Sequence, residues 1–135
     1  MTDILLDTHI FLWLMNGDSK LNTKNLEKIE TTINSGFRVS LSAISVWEIG
    51  MLVAEERTTL TQPVDKWLNQ AIKISSASIV EPSIDILLDS CSLPGQFHGD
   101  PADRMIVATS RIRRLPLVTQ DEKIIAYIKS GFCLG

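Results

Sequence analysis

Four acidic residues that are far apart in the sequence lie in or just after short apolar segments. They are Asp7, Glu48, Asp103 and Asp121, and Asp100 stands shortly before the third. If the apolar segments form a parallel sheet, the carboxyl ends of its strands meet at one edge, and these acids converge there. Gathered carboxylates repel one another, so such a cluster requires a divalent cation. Oxygen ligands without a cysteine or histidine set favour Mg²⁺ or Mn²⁺.

A divalent cation held by carboxylates defines a class of chemistry. It lowers the pKa of a bound water, which can then attack phosphorus, and it stabilises the charge that builds up on the phosphate oxygens. The predicted activity is therefore hydrolysis of a phosphate ester.

Glu48 gives the strongest indication of such a site. It shares one predicted helix stripe with Ile44, Met51 and Leu52. An acid on an apolar stripe is costly unless it is paired, protonated or close to a cation, and this helix offers no basic residue before Arg57. A bound metal would remove that cost, whereas the structural alternative is that Glu48 faces solvent.

The other acids also have structural alternatives. Asp7 could cap the segment that follows it, although a carboxylate after an apolar stretch would be partly desolvated. Asp100 is a candidate N-cap, and Asp103 lies in the first turn of the same helix, where an acid favours the helix dipole. Asp121 could also be a cap, and an alternative capping box begins at Thr119.

The segments that would position these acids alternate between strand and helix patterns. Strands are predicted at residues 3–6, 37–41, 79–81 and 116–119, with a further edge strand at 132–134. Helices are predicted at residues 22–35, 43–54, 64–74, 84–90, 100–113 and 121–129, and an apolar stretch at 10–15 leads into the turn signal Asn16-Gly17-Asp18. Alternating strands and helices predict an α/β fold, with three α/β/α layers around a mostly parallel central sheet.

The 135 residues suffice for one domain, residues 1–135. No apolar run is long enough to span a membrane, and the first residues lack the basic region of a signal peptide. Cys91 and Cys133 form no CxxC pair, so zinc ligation is not expected, and we expect a soluble cytoplasmic protein with reduced thiols.

The net charge of −3 argues mildly against a cationic nucleic-acid binder. Two features weaken this argument. The acids could be concentrated in a metal site, where bound cations neutralise them, and basic residues could lie on one face, since Arg104, Arg111, Arg113 and Arg114 are close in sequence.

Four sequence pieces together resemble one known family. They are Leu-Leu-Asp7-Thr-His, Ser-Val-Trp-Glu48-Ile-Gly, His98-Gly-Asp100-Pro-Ala-Asp103-Arg and Leu-Val-Thr119-Gln-Asp121, and they span nearly the whole chain. Each piece alone is weak, but their order and spacing resemble the PIN domain. Within that family the chain is most similar to the VapC-type toxins of toxin–antitoxin pairs, whose length it also matches.

The resemblance implies a parallel sheet flanked by helices and a metal-dependent endonuclease that cuts RNA. It places metal-binding acids at Asp7, Glu48, Asp103 and Asp121, with Asp100 as an auxiliary acid or a cap. Thr8 and Thr119 resemble the hydroxyl residues that family members carry near the site. The family also implies a cognate antitoxin that covers the site, and frequent homodimers.

Several further side chains have two interpretations. His9 and His98 could act as general bases, and His98 could contact phosphate, but a structural role is more common for such histidines. Arg104 could reach phosphate or pair with an acid, and structural pairing is favoured. The three tryptophans, Trp13, Trp47 and Trp67, are expected to be core or interface anchors rather than base-stacking platforms.

Two other functions remain open at this point. One is an aspartate-based phosphotransferase or phosphatase with Asp7 as nucleophile. His9 stands where such enzymes usually carry a second aspartate, and the late strand end offers Thr119 and Asp121 instead of a lysine. The other is a partner-binding module without turnover, whose acids bind a partner's arginine. Nucleotide-binding loops are not indicated, since neither GxGxxG nor GKS/GKT occurs.

Overall fold

The computed structural model describes residues 1–135. Its elements run in the order β1 (Ile4–Leu6), α1 (Thr8–Asn16), α2 (Thr23–Asn34), β2 (Val39–Ser42), α3 (Ala43–Ala54), α4 (Val64–Ser75), β3 (Ser78–Val80), α5 (Ile84–Cys91), α6 (Pro101–Arg113), β4 (Leu117–Val118) and α7 (Glu122–Lys129). The predicted alternation of strands and helices is confirmed, and the apolar stretch before Asn16 forms α1.

The four strands form one sheet in the order β3-β2-β1-β4, and every neighbouring pair is parallel. β1 is therefore an inner strand, paired with β2 on one side and β4 on the other. Parallel neighbours require crossover connections, and the helices supply them on both faces of the sheet.

Alternation along β1 separates the two layers of helices. Ile4 and Leu6 belong to one buried cluster, which includes apolar residues of α1, α2, α3 and α4. Leu5 belongs to a second cluster, built from α5, α6 and α7. Successive side chains of a strand point to opposite faces, so this division establishes the predicted three-layer α/β/α arrangement.

The predicted edge strand at residues 132–134 is wrong. Only one ladder-like bond is made there, from Leu117 N to Leu134 O at 2.9 Å. The chain turns at Gly131, whose φ is +90°, and the Phe132 carbonyl accepts a hydrogen bond from Arg111 instead of pairing with β4. The buried Cys133 side chain packs against Ser110. These contacts draw the segment toward α6 and prevent a continuous ladder.

None of the helices combines the length and the apolar character that crossing a membrane would require.

Candidate active site

All five predicted acids line a single cleft of about 440 Å³ at the carboxyl ends of β1 and β4. The residues lining it are Asp7, His9, Ile10, Trp13, Glu48, Leu52, Arg57, Asp100, Asp103, Gln120 and Asp121. The parallel arrangement explains this convergence, because β1 ends immediately before Asp7 and β4 ends shortly before Asp121.

Three of the acids form a tighter group within the cleft. Glu48, Asp100 and Asp103 each offer a carboxylate oxygen, and these oxygens lie within 4.8 Å of one another. Sequence reasoning placed Asp100 outside the core set, whereas the structure places it beside Glu48. Asp7 and Asp121 line the same cleft but do not belong to this tight group.

Asp7 is the most buried of the acids, with 7% of its surface exposed. Its Oδ1 accepts a hydrogen bond from the Thr8 backbone N–H at 2.9 Å, and its Oδ2 accepts one from the Thr119 hydroxyl at 2.8 Å. Burial raises the pKa of Asp7, and the two hydrogen bonds oppose that rise. Asp7 is also the N-cap of α1, so its structural and candidate functional roles coincide.

Thr119 links Asp7 to Asp121. Its hydroxyl donates to Asp7 and accepts a hydrogen bond from the Asp121 backbone N–H at 3.0 Å. Asp121 is the N-cap of α7 and accepts from the N–H groups of Lys123 and Ile124. The alternative capping box beginning at Thr119 is therefore not formed, because the N-cap is Asp121 and the Thr119 hydroxyl accepts from the Asp121 N–H.

Glu48 is held by a hydroxyl pair from two helices. The Thr8 hydroxyl donates to Glu48 Oε1, and its oxygen lies 2.8 Å from the hydroxyl of Ser45, which is fully buried. A hydroxyl has one proton, so Ser45 donates to Thr8 while Thr8 donates to Glu48. Burial raises the pKa of Glu48, the Thr8 hydrogen bond lowers it, and the charges of Asp7 and Asp100 raise it further.

Asp103 has a strongly perturbed carboxyl group. Burial, followed by the charges of Asp100, Asp7, Glu48 and Asp121, raises its pKa to about 7. Asp100 caps α6 by accepting a hydrogen bond from the Asp103 backbone N–H at 3.0 Å. The predicted cap is thus present, and the same residue also faces the other acids.

His98 lies in the loop that leads into α6, and Arg104 lies in the first turn of that helix. His98 Nε2 lies 3.1 Å from Asp103 Oδ2, but their relative orientation is not that of a hydrogen bond. Arg104 pairs with no acid and instead donates to the backbone carbonyls of Ser90, Phe97 and His98. Its contacts are structural, as favoured from the sequence, but its partners are carbonyls because the loop folds back over the guanidinium.

Sequence reasoning missed three residues around the cleft. Arg57 and Gln120 line it, and Ser45 orients Thr8 from behind Glu48. Ser45 precedes Glu48 by three positions, so a helical pattern could have placed both on one face. Nothing in the sequence near Arg57 or Gln120 indicates their position, because it depends on how α3 ends and on how α2 packs beside the loop after β4.

The three tryptophans lie in different surroundings and differ in exposure. Trp67 is buried in the core against Phe11. Trp13 lines the cleft, with its ring 5.7 Å from that of His9, while Trp47 is 57% exposed on α3. Trp67 is therefore a core anchor, and Trp13 packs against the same core cluster while also lining the cleft.

The donor set fits a hard divalent cation. None of the five carboxylates forms a salt bridge with lysine or arginine. Burial, and to a lesser extent the charges of the neighbouring acids, raises the pKa of Asp7, Glu48 and Asp103. Carboxylate oxygens are the ligands that Mg²⁺ and Mn²⁺ prefer. Glu48, Asp100 and Asp103, with Asp7 adjacent, are the residues that could hold such an ion.

Asp7 is oriented by hydrogen bonds to both of its carboxylate oxygens. Each oxygen accepts one hydrogen bond and keeps a lone pair, so the side chain can still bind a metal ion. The alternative in which Asp7 is a nucleophile stays a prediction.

Comparisons with known proteins agree with this arrangement. A family model described as the PIN domain matches residues 4–129. Ribonuclease VapC22 of Mycobacterium tuberculosis is 33% identical over 124 residues, which are 92% of this chain and 91% of that protein.

Two solved structures share the fold. A toxin–antitoxin complex from Klebsiella pneumoniae superposes with a TM-score of 0.60 at 22% identity, covering 93% of this chain and 92% of that one. VapBC2 from Rickettsia felis, bound to a DNA fragment from its promoter, gives a TM-score of 0.66 at 17% identity, covering 98% and 96%.

Proposed function

Because this chain belongs to the PIN-domain family, we propose that it is a cytoplasmic, metal-dependent endoribonuclease and the toxin component of a toxin–antitoxin pair. The observation that carries the proposal is the group formed by Glu48, Asp100 and Asp103, whose oxygens lie within 4.8 Å of one another. Similarity to a protein named as a ribonuclease supports RNA as the substrate.

The proposed metal ligands are Asp7, Glu48, Asp103 and Asp121, with Asp100 added because of its place beside Glu48. A bound Mg²⁺ or Mn²⁺ would lower the pKa of a coordinated water and stabilise the charge that develops on the phosphate oxygens. The chain's own contribution is to hold the carboxylates in place. Thr119 and the Thr8 N–H orient Asp7, while the Thr8 hydroxyl orients Glu48.

Cleavage of RNA by the purified, partner-free protein tests the proposal. We expect cleavage with Mg²⁺ or Mn²⁺ and none in EDTA. Glu48→Gln and Asp103→Asn should each reduce the rate at least about 100-fold, because metal-assisted charge stabilisation supplies several kcal/mol. Glu30→Gln, on the exposed surface of α2, serves as the control. Undiminished cleavage in EDTA would contradict the metal role, and a fully active Glu48→Gln variant would contradict the site.

A protein partner that blocks the cleft is the second part of the proposal. Two solved structures of this fold are described as toxin–antitoxin or VapBC structures, which supports a cognate antitoxin for this chain. Expression of the chain alone should arrest bacterial growth, and co-expression of the protein encoded beside it should restore growth. A Glu48→Gln chain should cause no arrest, whereas arrest by this variant would separate toxicity from catalysis.

The family further leads us to propose a homodimer. The exposed apolar side chains of Ile84, Leu87 and Leu88 share one face of α5 and support this proposal. Light scattering after gel filtration should give twice the chain mass for the wild type and the chain mass for Leu88→Lys. A monomeric wild type at high concentration would contradict it.

A further inference from the structure

A second groove, of about 500 Å³, lies beside the acidic cleft between α2 and α7. Leu117 and Val118 of β4 contribute to its floor. The residues lining it are Asn22, Lys24, Asn25, Lys28, Leu117, Val118, Thr119, Gln120, Glu122, Ile125, Ile128, Lys129 and Gly135. Its character differs from that of the cleft, because its charged side chains are mostly basic.

Three lysines face this groove from two helices. Lys24 and Lys28 lie one turn apart on the same side of α2, and Lys129 lies on α7. All three are exposed and none forms a salt bridge, so their charge is not neutralised within the chain. Glu122 is the one acid that lines the groove. The groove therefore carries an excess of positive charge in a chain whose net charge is −3.

The groove and the acidic cleft meet at Gln120, which lines both. The Gln120 side chain is fixed at this junction by three hydrogen bonds. Its Nε2 donates to the Lys20 carbonyl at 2.9 Å, and its Oε1 accepts from Asn22 N at 2.8 Å and from Asn25 Nδ2 at 3.3 Å. These bonds join the loop after β4 to the start of α2, so the two depressions keep a fixed relation to each other.

A polyanion that enters the acidic cleft needs cations nearby. Phosphate contacts from lysine and arginine supply most of the sequence-independent affinity for nucleic acids. The only lysine or arginine that lines the cleft itself is Arg57. A smaller groove along α3 also adjoins the cleft, and it is lined by Trp47, Met51 and Leu52 together with three acids and Arg57. A third groove, beside Asp103 and Asp121, is lined by four acids and one lysine. Of these three grooves, only the one between α2 and α7 has more basic than acidic side chains.

We propose that the groove between α2 and α7 holds the RNA backbone on one side of the bond to be cut, with Lys24, Lys28 and Lys129 contacting its phosphates. This inference rests on the proposed ribonuclease function and adds to it the path of the substrate. The lysines act as positioning residues, since they lie outside the acidic cleft and touch no reacting atom.

RNA binding by lysine variants tests the path. A fluorescent, mixed-sequence single-stranded RNA is titrated with the Glu48→Gln chain in Mg²⁺, over a series of KCl concentrations, and anisotropy is recorded. A plot of log K against log salt has a negative slope. Adding Lys24→Gln and Lys28→Gln should make that slope less steep by about 1.4, because each lost single-strand phosphate contact removes about 0.7. The affinity should fall roughly 10- to 30-fold near 0.1 M salt. Lys129→Gln should act in the same direction with about half the slope change.

Lys66→Gln with Lys73→Gln is the matched control, because it also removes two exposed lysines, but from α4. It should change neither slope nor affinity. In the otherwise wild-type chain, the Lys24/Lys28 variant should raise KM for RNA cleavage at low substrate while leaving kcat within about twofold, since only binding contacts are lost.

The outcomes separate the path from the function. If the wild type cleaves RNA and the Lys24/Lys28 variant matches the control, the path is wrong and the ribonuclease function stands. If the wild type neither binds nor cleaves RNA, the proposed path and the proposed ribonuclease function are both wrong. If the variant binds RNA normally but is no longer neutralised by its protein partner, the groove binds that partner, and the proposed path is overturned.

Discussion

Hydroxyl groups hold the two acids whose contacts are best defined in this cleft. Thr119 donates to Asp7, and Thr8 donates to Glu48 with Ser45 behind it. A hydrogen bond to a carboxylate favours its charged form, whereas burial favours the neutral form. The raised pKa values of Asp7 and Glu48 show that burial dominates in the metal-free chain. The hydroxyls therefore orient these acids without adding positive charge to balance them.

Replacing Thr119 with valine should show what its two hydrogen bonds contribute, apart from the contribution of its size to packing. The change preserves volume but removes the donor to Asp7 and the acceptor for the Asp121 N–H. We expect the free energy of unfolding to fall by about 1–3 kcal/mol, because buried polar groups are left unsatisfied, and RNA cleavage to fall with it. Urea denaturation measures the first effect. Thr119→Ser keeps the hydroxyl and should retain cleavage, and equal losses in both variants would refute this role.

Asp103 makes the metal-free protein sensitive to pH. Its pKa is near 3.8 in the unfolded chain and about 7 in the fold, so the folded state binds the extra proton between these values. The free energy of unfolding should fall as the pH rises from about 4 to about 7 and then level off. Asp103→Asn cannot ionise, so this variant should be more stable than the wild type above pH 7, by about 1–2 kcal/mol after allowance for solvent screening.

Thermal or urea unfolding at pH 5 and pH 8 in EDTA measures this effect. The variant and the wild type should be close in stability at pH 5 and separate at pH 8. Glu30→Gln is the control and should show no such separation. A variant less stable than the wild type at pH 8 would show that Asp103 makes favourable contacts that outweigh its charge.

At the scale of elements, three helices begin at the cleft. Asp7, Asp100 and Asp121 are the N-caps of α1, α6 and α7, respectively. Each carboxylate therefore satisfies free backbone N–H groups and lies at the positive end of a helix dipole. These contacts offset part of the repulsion among the acids. The two interpretations that the sequence left open, cap or candidate ligand, are both compatible with the positions of these residues.

Asp100 offers a way to separate the two roles. Asn is as good an N-cap as Asp, so Asp100→Asn should preserve the stability of α6 while removing one negative charge beside Glu48. Asp100→Ala should lose both the N-cap and the negative charge, and its free energy of unfolding should be lower than that of the wild type by about 1 kcal/mol. If Asp100 serves only as a cap, the Asn variant will cleave RNA at the wild-type rate. Reduced Mg²⁺ affinity of a stable Asn variant, measured by calorimetry, would show a ligand role.

For the whole molecule, the fold concentrates negative charge at the carboxyl edge of the sheet. The strand order β3-β2-β1-β4 places Asp7 beside the end of β4, and α3 and α6 bring Glu48, Asp100 and Asp103 to the same edge. Helix packing behind the cleft has to tolerate this charge. The metal-free chain is therefore expected to be less stable than the same chain with a bound divalent cation.

Added metal should raise the melting temperature of the whole chain. A ligand that binds only the folded state stabilises it by about 2.7 kcal/mol at a concentration 100 times its Kd. Mg²⁺ or Mn²⁺ should therefore raise Tm, and NaCl at equal ionic strength should not. The increase should be larger at pH 8 than at pH 6, because the metal must displace the proton that Asp103 holds below about pH 7. Scanning calorimetry provides the measurement, and a Tm independent of Mg²⁺ would contradict the metal site.

The sequence by itself determined the local features of this protein. Short apolar segments predict β1, β2, β3 and β4 to within a few residues, and helical spacing predicts α2 to α7. The convergence of Asp7, Glu48, Asp103 and Asp121 on one cleft was predicted on the condition that the strands form a parallel sheet, and this condition holds. These features depend on neighbouring residues and on the general rules of parallel sheets.

Only the tertiary structure decided which acids lie closest and what surrounds them. Asp100 joins Glu48 and Asp103, the Thr8 hydroxyl reaches Glu48 across 40 positions, and Gln120 joins the start of α2 across 98. The same holds for residues 132–134, which Arg111 and Ser110 draw away from the sheet. Such contacts depend on the relative packing of whole helices, which side-chain periodicity does not specify, because the same pattern is compatible with several helix rotations and offsets.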